Sequence, residues 1–241
     1  MEDVAGEVNL KDLDLTAALR ILAHAGRNGP TSSDVEPLAQ LQALIDALCE
    51  LSMHDGLTGL VNSVFFHAAL ASELDRSFRT GRGCGLILID LDEFKLVNDT
   101  HGHDIGDHVL RAVAIQLRKS LRSMDTAART GGDEFAVILP ECTPEDAVCA
   151  ATRIHGMLNP LAITTVELSL MVTSSAGLVW TEPGSVIPPK MLLAQADTEL
   201  YRAKRAGRRR LSHPELVPAR LSAAEHAAFV LRGHEEDSHG K

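Results

Sequence analysis

Two short apolar runs, each with acidic residues at one end, constrain the fold of this chain most. Gly85-Leu-Ile-Leu-Ile-Asp90 ends in a carboxylate, and Phe135-Ala-Val-Ile-Leu139 directly follows Asp133 and Glu134. Continuous apolar runs of this length are typical of buried strands. If the two strands pair, their acidic ends meet at one edge of a sheet. The sequence therefore predicts a buried sheet with clustered carboxylates, with ordinary solvated turns as the alternative for each acidic segment.

Helical spacing of apolar residues predicts the elements around these strands. We expect helices over residues 63–80, 105–121, 144–158 and 190–206, and further strands within residues 162–180. Gly131 and Gly132 predict a tight turn before the second apolar run. Residues from Ser212 onward are rich in charge and histidine. We therefore expect one domain over residues 53–211 and a flexible tail over residues 212–241.

The first 52 residues predict a short helical region ahead of this domain. Apolar residues recur at helical spacing over residues 10–25, before a segment of turn-forming residues. A second helix is expected to begin after Ser33 or Asp34, with Pro37 in its first turn. Four leucines then follow 3-4-3 spacing: Leu41, Leu44, Leu48 and Leu51. This seam fits another copy, a partner protein or the first helix.

Charge and cysteine usage exclude several classes of function. The chain has 33 acidic and 23 basic residues, a formal net charge of −10. Such a surface repels nucleic acid and anionic membranes, so neither is an expected partner, and any nucleotide must be held locally. The four cysteines lack CxxC spacing, so we expect no zinc site or disulfide framework. Without a long apolar run or a basic N-terminal signal, the predicted location is cytoplasmic.

The acidic strand ends indicate a particular class of metal. Asp90 and Asp92 follow one apolar run, while Asp133 and Glu134 precede the other. Clustered carboxylates with no His or Cys between them suit Mg²⁺ or Mn²⁺, which stabilise charge during phosphoryl transfer. The sequence therefore favours phosphate chemistry at this edge.

Basic and glycine residues near these carboxylates suit a triphosphate. Gly131 and Gly132 permit close approach of the main chain to a phosphate, although a plain hairpin turn is the alternative. Lys95, Lys204 and Arg208 supply positive charge. Basic residues late in a helix also suit its dipole, which leaves a structural role open.

An amide and a carboxylate complete the pattern for a nucleotide. Asn98 can pair with a guanine edge, and Asp107 can accept from its N–H groups, although each residue type is also common at helix caps. His101 and His103 lack a third ligand at a suitable spacing for zinc.

Five segments occur in the order found in one enzyme family. They are Asp55-Gly-Leu-Thr-Gly-Leu-Val-Asn62, Asp90-Leu-Asp-Glu-Phe-Lys-Leu-Val-Asn-Asp99, Gly102-His-Asp-Ile-Gly-Asp107, Gly131-Gly-Asp-Glu-Phe135, and Tyr201-Arg-Ala-Lys204 with Gly207-Arg208. Together they resemble the GGDEF family of diguanylate cyclases over about residues 51–211. The resemblance implies an α+β, palm-like fold, with a mostly antiparallel sheet of about five strands wrapped by helices.

The resemblance also implies the reaction and its metal site. The family condenses two GTP molecules into cyclic di-GMP, and two metal ions per active site, Mg²⁺ or Mn²⁺, are implied. Asp90, Asp133 and Glu134 are the implied catalytic and metal-binding residues, joined by the carbonyl of Leu91.

Substrate contacts follow from the same motifs. Lys95, Lys204 and Arg208 are implied to hold the β- and γ-phosphates, with main-chain amides near Phe94. The Gly131-Gly132 turn borders the same site. Asn98 and Asp107 are implied to read guanine, which makes GTP the expected substrate. Each domain of the family binds one GTP, so the resemblance implies a homodimer.

Arg122-Ser-Met-Asp125 lies five residues before Gly131-Gly-Asp-Glu-Phe135, the signature of the family, where the family has its product-inhibition site. The resemblance implies that Arg122, Asp125 and Arg153 bind cyclic di-GMP. Ser63 and Thr130 depart from the usual family residues, but neither is a reacting group.

Three functions remain to be compared. The first is an active cyclase whose N-terminal helices set dimer geometry and receive a separate regulatory protein. The second is a silent domain that acts as a receptor for cyclic di-GMP or GTP. The third is a scaffold that acts through its N-terminal helices alone. The intact signature carboxylates favour the cyclase.

Overall fold

A computed structural model describes residues 15–24, 37–164 and 168–216 of the chain. Its helices are α1 (Thr16–His24), α2 (Pro37–Met53), α3 (Ser63–Thr80), α4 (Phe94–His101), α5 (His103–Ser120), α6 (Pro144–Leu158) and α7 (Pro189–Arg205). Its strands are β1 (Gly85–Leu91), β2 (Thr126–Arg129), β3 (Glu134–Leu139), β4 (Leu161–Thr164), β5 (Ser169–Val172), β6 (Ser174–Trp180) and β7 (Leu211–Ser212).

The central sheet has five strands in the order β2-β3-β1-β6-β7. β1 pairs antiparallel with β3 on one side and with β6 on the other. β2 is antiparallel to β3, whereas β7 is parallel to β6. β4 and β5 form a separate antiparallel pair. The prediction of an α+β fold with a mostly antiparallel sheet is therefore confirmed.

Helices cover both faces of this sheet because the side chains of each strand alternate between the faces. On β1, Ile87 and Ile89 belong to the apolar core that includes α5 and α6. Leu86 belongs to the second core, with residues of α3 and α7, and the partly buried Leu88 packs against this core. The continuous apolar sequence of β1 follows from this burial on two sides.

The best-predicted helices have clear end signals. α3 begins after Asn62, whose Oδ1 accepts a hydrogen bond from the Phe65 amide, and it ends at Gly81 in the left-handed conformation. α6 begins with a capping box between Thr143 and Asp146. Such caps satisfy main-chain groups that a helix end leaves unpaired. The predictions for residues 63–80 and 144–158 are confirmed.

Three elements were not predicted, and the predicted start of the tail at Ser212 was wrong. The helices predicted over residues 105–121 and 190–206 are present as α5 and α7 and begin two residues and one residue earlier. α4 is short and has no side-chain cap, while β2 consists mostly of small residues, so neither carries a strong periodic signal. β7 pairs with β6 and includes Ser212, whose hydroxyl donates to Glu199 Oε2 over 2.6 Å. Ser212 therefore belongs to the sheet and not to the predicted tail.

The N-terminal helices pack on each other. The first helix was one of the three possible partners of the leucine seam. α1 contacts α2, and Leu22 and Leu44 are buried. α2 leads directly into the domain, where the main-chain nitrogen of Asn62 donates to the Met53 carbonyl over 2.8 Å. The predicted helical residues 10–14 and the caps Ser33 and Asp34 lie outside the described residues.

Within the described parts of the chain, no helix combines the length and the apolar character required to cross a bilayer.

Glycine on β6 brings α7 unusually close to the sheet. A Cβ at Gly177 would overlap the Leu200 nitrogen and the Ala196 carbonyl oxygen of α7. Because these are main-chain atoms, the helix itself would have to move. The position of every side chain on α7, including Lys204, therefore depends on this contact.

Replacing Gly177 with alanine is expected to lower the free energy of unfolding by about 1–3 kcal/mol, the usual cost of overpacking a core. Urea denaturation would measure this change. Gly156→Ala is the matched control, because an added Cβ on this exposed helical residue meets nothing within 4 Å. The control should be neutral or slightly stabilising. Wild-type stability of Gly177→Ala would contradict the packing described.

Candidate active site

The register of β1 and β3 brings the acidic strand ends together. Asp90 lies opposite Glu134, and the Leu91 nitrogen donates to the Asp133 carbonyl over 3.2 Å. Residues directly opposite in a sheet project from the same face. The predicted pairing of the two apolar strands is confirmed, and it places carboxylates from separate segments at one edge.

Asp90 is the most buried of these carboxylates, with 9% of its surface exposed. Burial raises the pKa of Asp90, although the hydrogen bond and charge of Lys204 oppose the shift. The charges of Asp133 and Asp92 also act to raise this pKa. Lys204 Nζ lies 2.7 Å from Asp90 Oδ2. The ammonium of α7 therefore balances a carboxylate that is costly to keep charged.

The donor chemistry of this edge fits a hard divalent cation. Asp90 and Asp133 are close enough for their charges to interact, so a bound cation would relieve both burial and repulsion. The exposed Glu134 side chain folds back against Gly131. In the described residues, His, Cys, Asp and Glu side chains form no group of three or more suited to a metal. A site here thus needs main-chain, substrate or water oxygens, and the buried Leu91 adjoins Asp90.

A cavity of about 450 Å³ opens beside this edge. Its lining comprises Phe94, Lys95, Asn98, Asp99, His103, Asp107, Leu110, Arg129, Gly132 and Asp133. Six of these were predicted: Phe94, Lys95, Asn98, Asp107, Gly132 and Asp133. The fold therefore brings residues of α4, α5 and the signature turn around one space.

Gly106 sets the position of Asn98 within that cavity. An added Cβ at Gly106 would overlap Asn98 Oδ1 and crowd the ring of Phe94. Asp107, the next residue, has Oδ2 3.6 Å from Arg111 Nη2. Glycine at position 106 thus allows the side-chain amide of Asn98, on α4, to lie against α5 beside the carboxylate of Asp107.

Arg129 is a site residue that the sequence did not reveal. Its Nε and Nη2 donate to the Gly132 carbonyl over 3.2 and 2.7 Å, and Nη1 lies 3.3 Å from Asp55. Partial burial acts to raise the pKa of Asp55, but hydrogen bonds from Thr58 and the charge of Arg129 outweigh it, so this pKa is lowered. Arg129 therefore ties the signature turn to the first motif of the domain.

A second cavity, of about 530 Å³, lies on the other side of α4. Arg208 and Arg209, in the turn after α7, line this cavity. Leu96 and Met171 form apolar parts of its wall. The chemistry favours the smaller cavity for a base, because Asn98 and Asp107 line it. The three residues predicted to bind phosphate thus lie at different places. Lys95 lines the first cavity, Arg208 lines the second, and Lys204 forms an ion pair with Asp90.

Two of the three residues predicted for product inhibition lie together. The Arg122 main-chain nitrogen donates to Asp125 Oδ2 over 2.8 Å in the turn between α5 and β2. Both residues line a small pocket with Asp146 of α6. Arg153 is exposed on α6 and does not line this pocket.

Comparison with known proteins identifies the domain. Residues 52–210 match the family described as "Diguanylate cyclase, GGDEF domain". "Probable diguanylate cyclase DgcC" of Escherichia coli strain K12 is 40% identical over 161 residues, which cover 66% of this chain and 43% of that protein. "Response regulator PleD" of Caulobacter vibrioides is 40% identical over 166 residues, covering 68% and 36%. The chain thus matches less than half the length of these relatives.

Solved structures agree with this assignment. Diguanylate cyclase SiaD of Pseudomonas aeruginosa, in complex with its activator SiaC, gives a TM-score of 0.66 at 36% identity, covering 73% of this chain and 67% of SiaD. The coiled coil and GGDEF domain of DgcB from Caulobacter crescentus, in complex with c-di-GMP, gives 0.68 at 28% identity, covering 73% and 93%. From the signature, the fold and these matches, the chain belongs to the GGDEF family.

Proposed function

We propose that this chain is a diguanylate cyclase that condenses two GTP molecules into cyclic di-GMP and releases two pyrophosphates. One observation carries the proposal: the intact signature carboxylates meet Asp90 beside a cavity lined by Asn98 and Asp107. A nucleotide needs a base pocket adjoining its phosphate site, and we assign these two roles to the cavity and to the carboxylate edge beside it.

Asn98 and Asp107 would read the guanine base. A carboxylate accepts hydrogen bonds from guanine N1–H and N2–H, whereas adenine offers no equivalent pair of donors. The amide of Asn98 offers both a donor and an acceptor. GTP is therefore the proposed substrate in both chains of the dimer.

The triphosphate would lie over the start of α4, between the two cavities. Main-chain N–H groups at the beginning of a helix favour negative charge, and Phe94 and Lys95 occupy that position. Lys204 lies at the carboxylate edge, and Arg208 borders the far cavity. A phosphate chain in this position would pass from Lys95 towards Arg208.

Asp90, Asp133 and the Leu91 carbonyl would hold Mg²⁺ or Mn²⁺, with Glu134 assisting and two ions per site. When bound, such ions lower the pKa of a hydroxyl and offset charge on a leaving pyrophosphate. The 3′-oxygen of one GTP forms a bond to the α-phosphorus of the other, and the bond from that phosphorus to pyrophosphate breaks. The 3′-hydroxyl loses its proton to solvent water in the same step. Positioning by the protein supplies much of the rate gain.

Closing the ring requires two such steps, so we propose a homodimer with one GTP on each chain.

The α1–α2 region is the proposed regulator of dimer geometry and the docking surface for a separate protein. Ile21 and Leu38 on these helices are exposed at 57% and 64%. SiaD, a relative, is described with an activator. Unchanged turnover after removal of residues 1–50 would contradict this role.

We further propose that cyclic di-GMP inhibits the enzyme at Arg122 and Asp125, with Arg153 completing the site. The guanidinium of Arg122 suits a phosphate, and the carboxylate of Asp125 suits a guanine edge. A cytoplasmic location is proposed because the cysteines of the described residues, including the buried Cys84 and Cys142, are free thiols, as is usual in a reducing compartment. Cell fractionation would test the location.

Purified chain incubated with GTP and Mg²⁺ should yield cyclic di-GMP, separated by chromatography. Turnover per chain should rise with protein concentration if a dimer is required. Added cyclic di-GMP should slow the reaction, and Arg122→Ala should relieve that inhibition without abolishing synthesis.

Asp133→Ala/Glu134→Ala is the control for this assay and should form no product. Absence of product from the wild-type chain at high concentration would contradict the cyclase proposal. Binding of cyclic di-GMP or GTP without turnover would instead favour a silent receptor.

Gly106→Ala should weaken GTP binding about tenfold, because Asn98 must rotate away from the added methyl group and a hydrogen bond to the base is lost. Calorimetric titration with 3′-deoxy-GTP, which lacks the attacking hydroxyl and cannot condense, would measure the affinity. Stability should change little, because the better helix propensity of alanine opposes the crowding of the Phe94 ring. Gly156→Ala should leave affinity unchanged. Wild-type affinity of Gly106→Ala would contradict the proposed role of Asn98.

A further inference from the structure

The turn after α7 has an unusual main-chain conformation. Arg208 and Arg209 both lie in the left-handed region, with φ of 60° and 52°, and they follow Gly207 with φ of 110°. Successive non-glycine residues in this region are strained and persist only where surrounding contacts hold them. The turn carries Arg208 to the rim of the second cavity.

Asp92 supplies side-chain contacts that hold this turn. Its Oδ2 accepts hydrogen bonds from the Arg209 main-chain nitrogen over 3.2 Å and from Thr173 Oγ1 over 2.8 Å. Its Oδ1 accepts from Ser175 Oγ over 2.7 Å. The Asp92 nitrogen donates to the Thr173 carbonyl over 2.8 Å. Asp92 thus joins the segment after β1 to the start of β6 and to the strained turn.

Main-chain hydrogen bonds hold the two ends of the turn. The Arg208 nitrogen donates to the Ala203 carbonyl over 3.1 Å, and the Ala176 nitrogen donates to the Arg210 carbonyl over 2.9 Å. These bonds fix the exit from α7 and the approach to β7. Asp92 acts between them, at Arg209, where the left-handed conformation must be maintained.

Resting on the proposed function, we propose that Asp92 is a positioning residue that fixes Arg208 for the distal phosphates of GTP. Asp92 lies two residues after Asp90, so one short segment reaches both the carboxylate edge and the arginine turn. Its role differs from metal ligation, because protein donors already occupy both oxygens. Loss of the carboxylate would free the turn and move Arg208 away from the phosphates.

The test compares nucleotides that differ in their distal phosphates. Wild-type, Asp92→Asn and Arg208→Ala chains, each full length, are titrated with 3′-deoxy-GTP and with GMP in Mg²⁺. The 3′-deoxy compound lacks the attacking hydroxyl and cannot condense. Asp92→Asn should weaken 3′-deoxy-GTP binding about tenfold and GMP binding less than twofold, as expected for one lost charge-assisted contact. Arg208→Ala should give the same pattern.

The double variant Asp92→Asn/Arg208→Ala should bind 3′-deoxy-GTP no more weakly than Arg208→Ala alone, because the first residue acts through the second. Equal losses for both nucleotides, or additive losses in the double variant, would overturn the proposal. A weakened affinity of Asp92→Asn for Mn²⁺ would also overturn it, since Asp92 would then be a metal ligand.

Thr173→Val provides a milder variant if Asp92→Asn does not fold, as checked by circular dichroism. It removes one donor to Asp92 and should reduce 3′-deoxy-GTP affinity selectively, by a smaller factor than Arg208→Ala. An unchanged affinity ratio would overturn the proposal. Failure of the wild-type chain to bind 3′-deoxy-GTP would refute the proposed function as well, whereas wild-type binding with unselective variants would refute the inference alone.

Discussion

The antiparallel register between β1 and β3 is the constraint on which the rest of the site depends. It places Asp90 opposite Glu134 and joins the Leu91 nitrogen to the Asp133 carbonyl. A slip of one residue would turn every side chain of a strand to the opposite face, so burial of both strands enforces the pairing. The core therefore determines where the carboxylates meet, and the repulsion between them is a consequence of the fold.

The elements around that edge are held close by small residues and by ion pairs. Gly177 lets α7 approach the sheet, and Lys204 at the end of α7 then reaches Asp90. Gly106 lets the side chain of Asn98 lie against α5. Arg129 connects the signature turn to Asp55 in the segment that follows α2. Through this last contact, a change in the N-terminal helices has a physical route to the proposed catalytic turn.

The sequence predicted those parts of the molecule whose signals are local. The helices over residues 63–80 and 144–158 have caps and periodic apolar faces, and the buried strands have continuous apolar runs. The resemblance to the family supplied the sheet type and six of the residues that line the cavity of about 450 Å³. The Arg129–Asp55 pair escaped prediction because it joins positions 74 residues apart. The left-handed conformation of Arg208 and Arg209 also escaped prediction, because arginine rarely adopts it and the contacts around the turn include residues distant in sequence, such as Asp92.

Mn²⁺ binding tests most directly the claim that the strand register creates the metal site. Electron paramagnetic resonance would follow Mn²⁺ bound to the full chain with 3′-deoxy-GTP, in the wild type and in Asp90→Asn and Asp133→Asn. Asp75→Asn, on an exposed face of α3, serves as the control. Each of the two variants should weaken Mn²⁺ binding at least about tenfold, because the proposed site takes one carboxylate from β1 and the other from the turn before β3. Wild-type affinity in either variant would contradict a site shared between β1 and the signature turn.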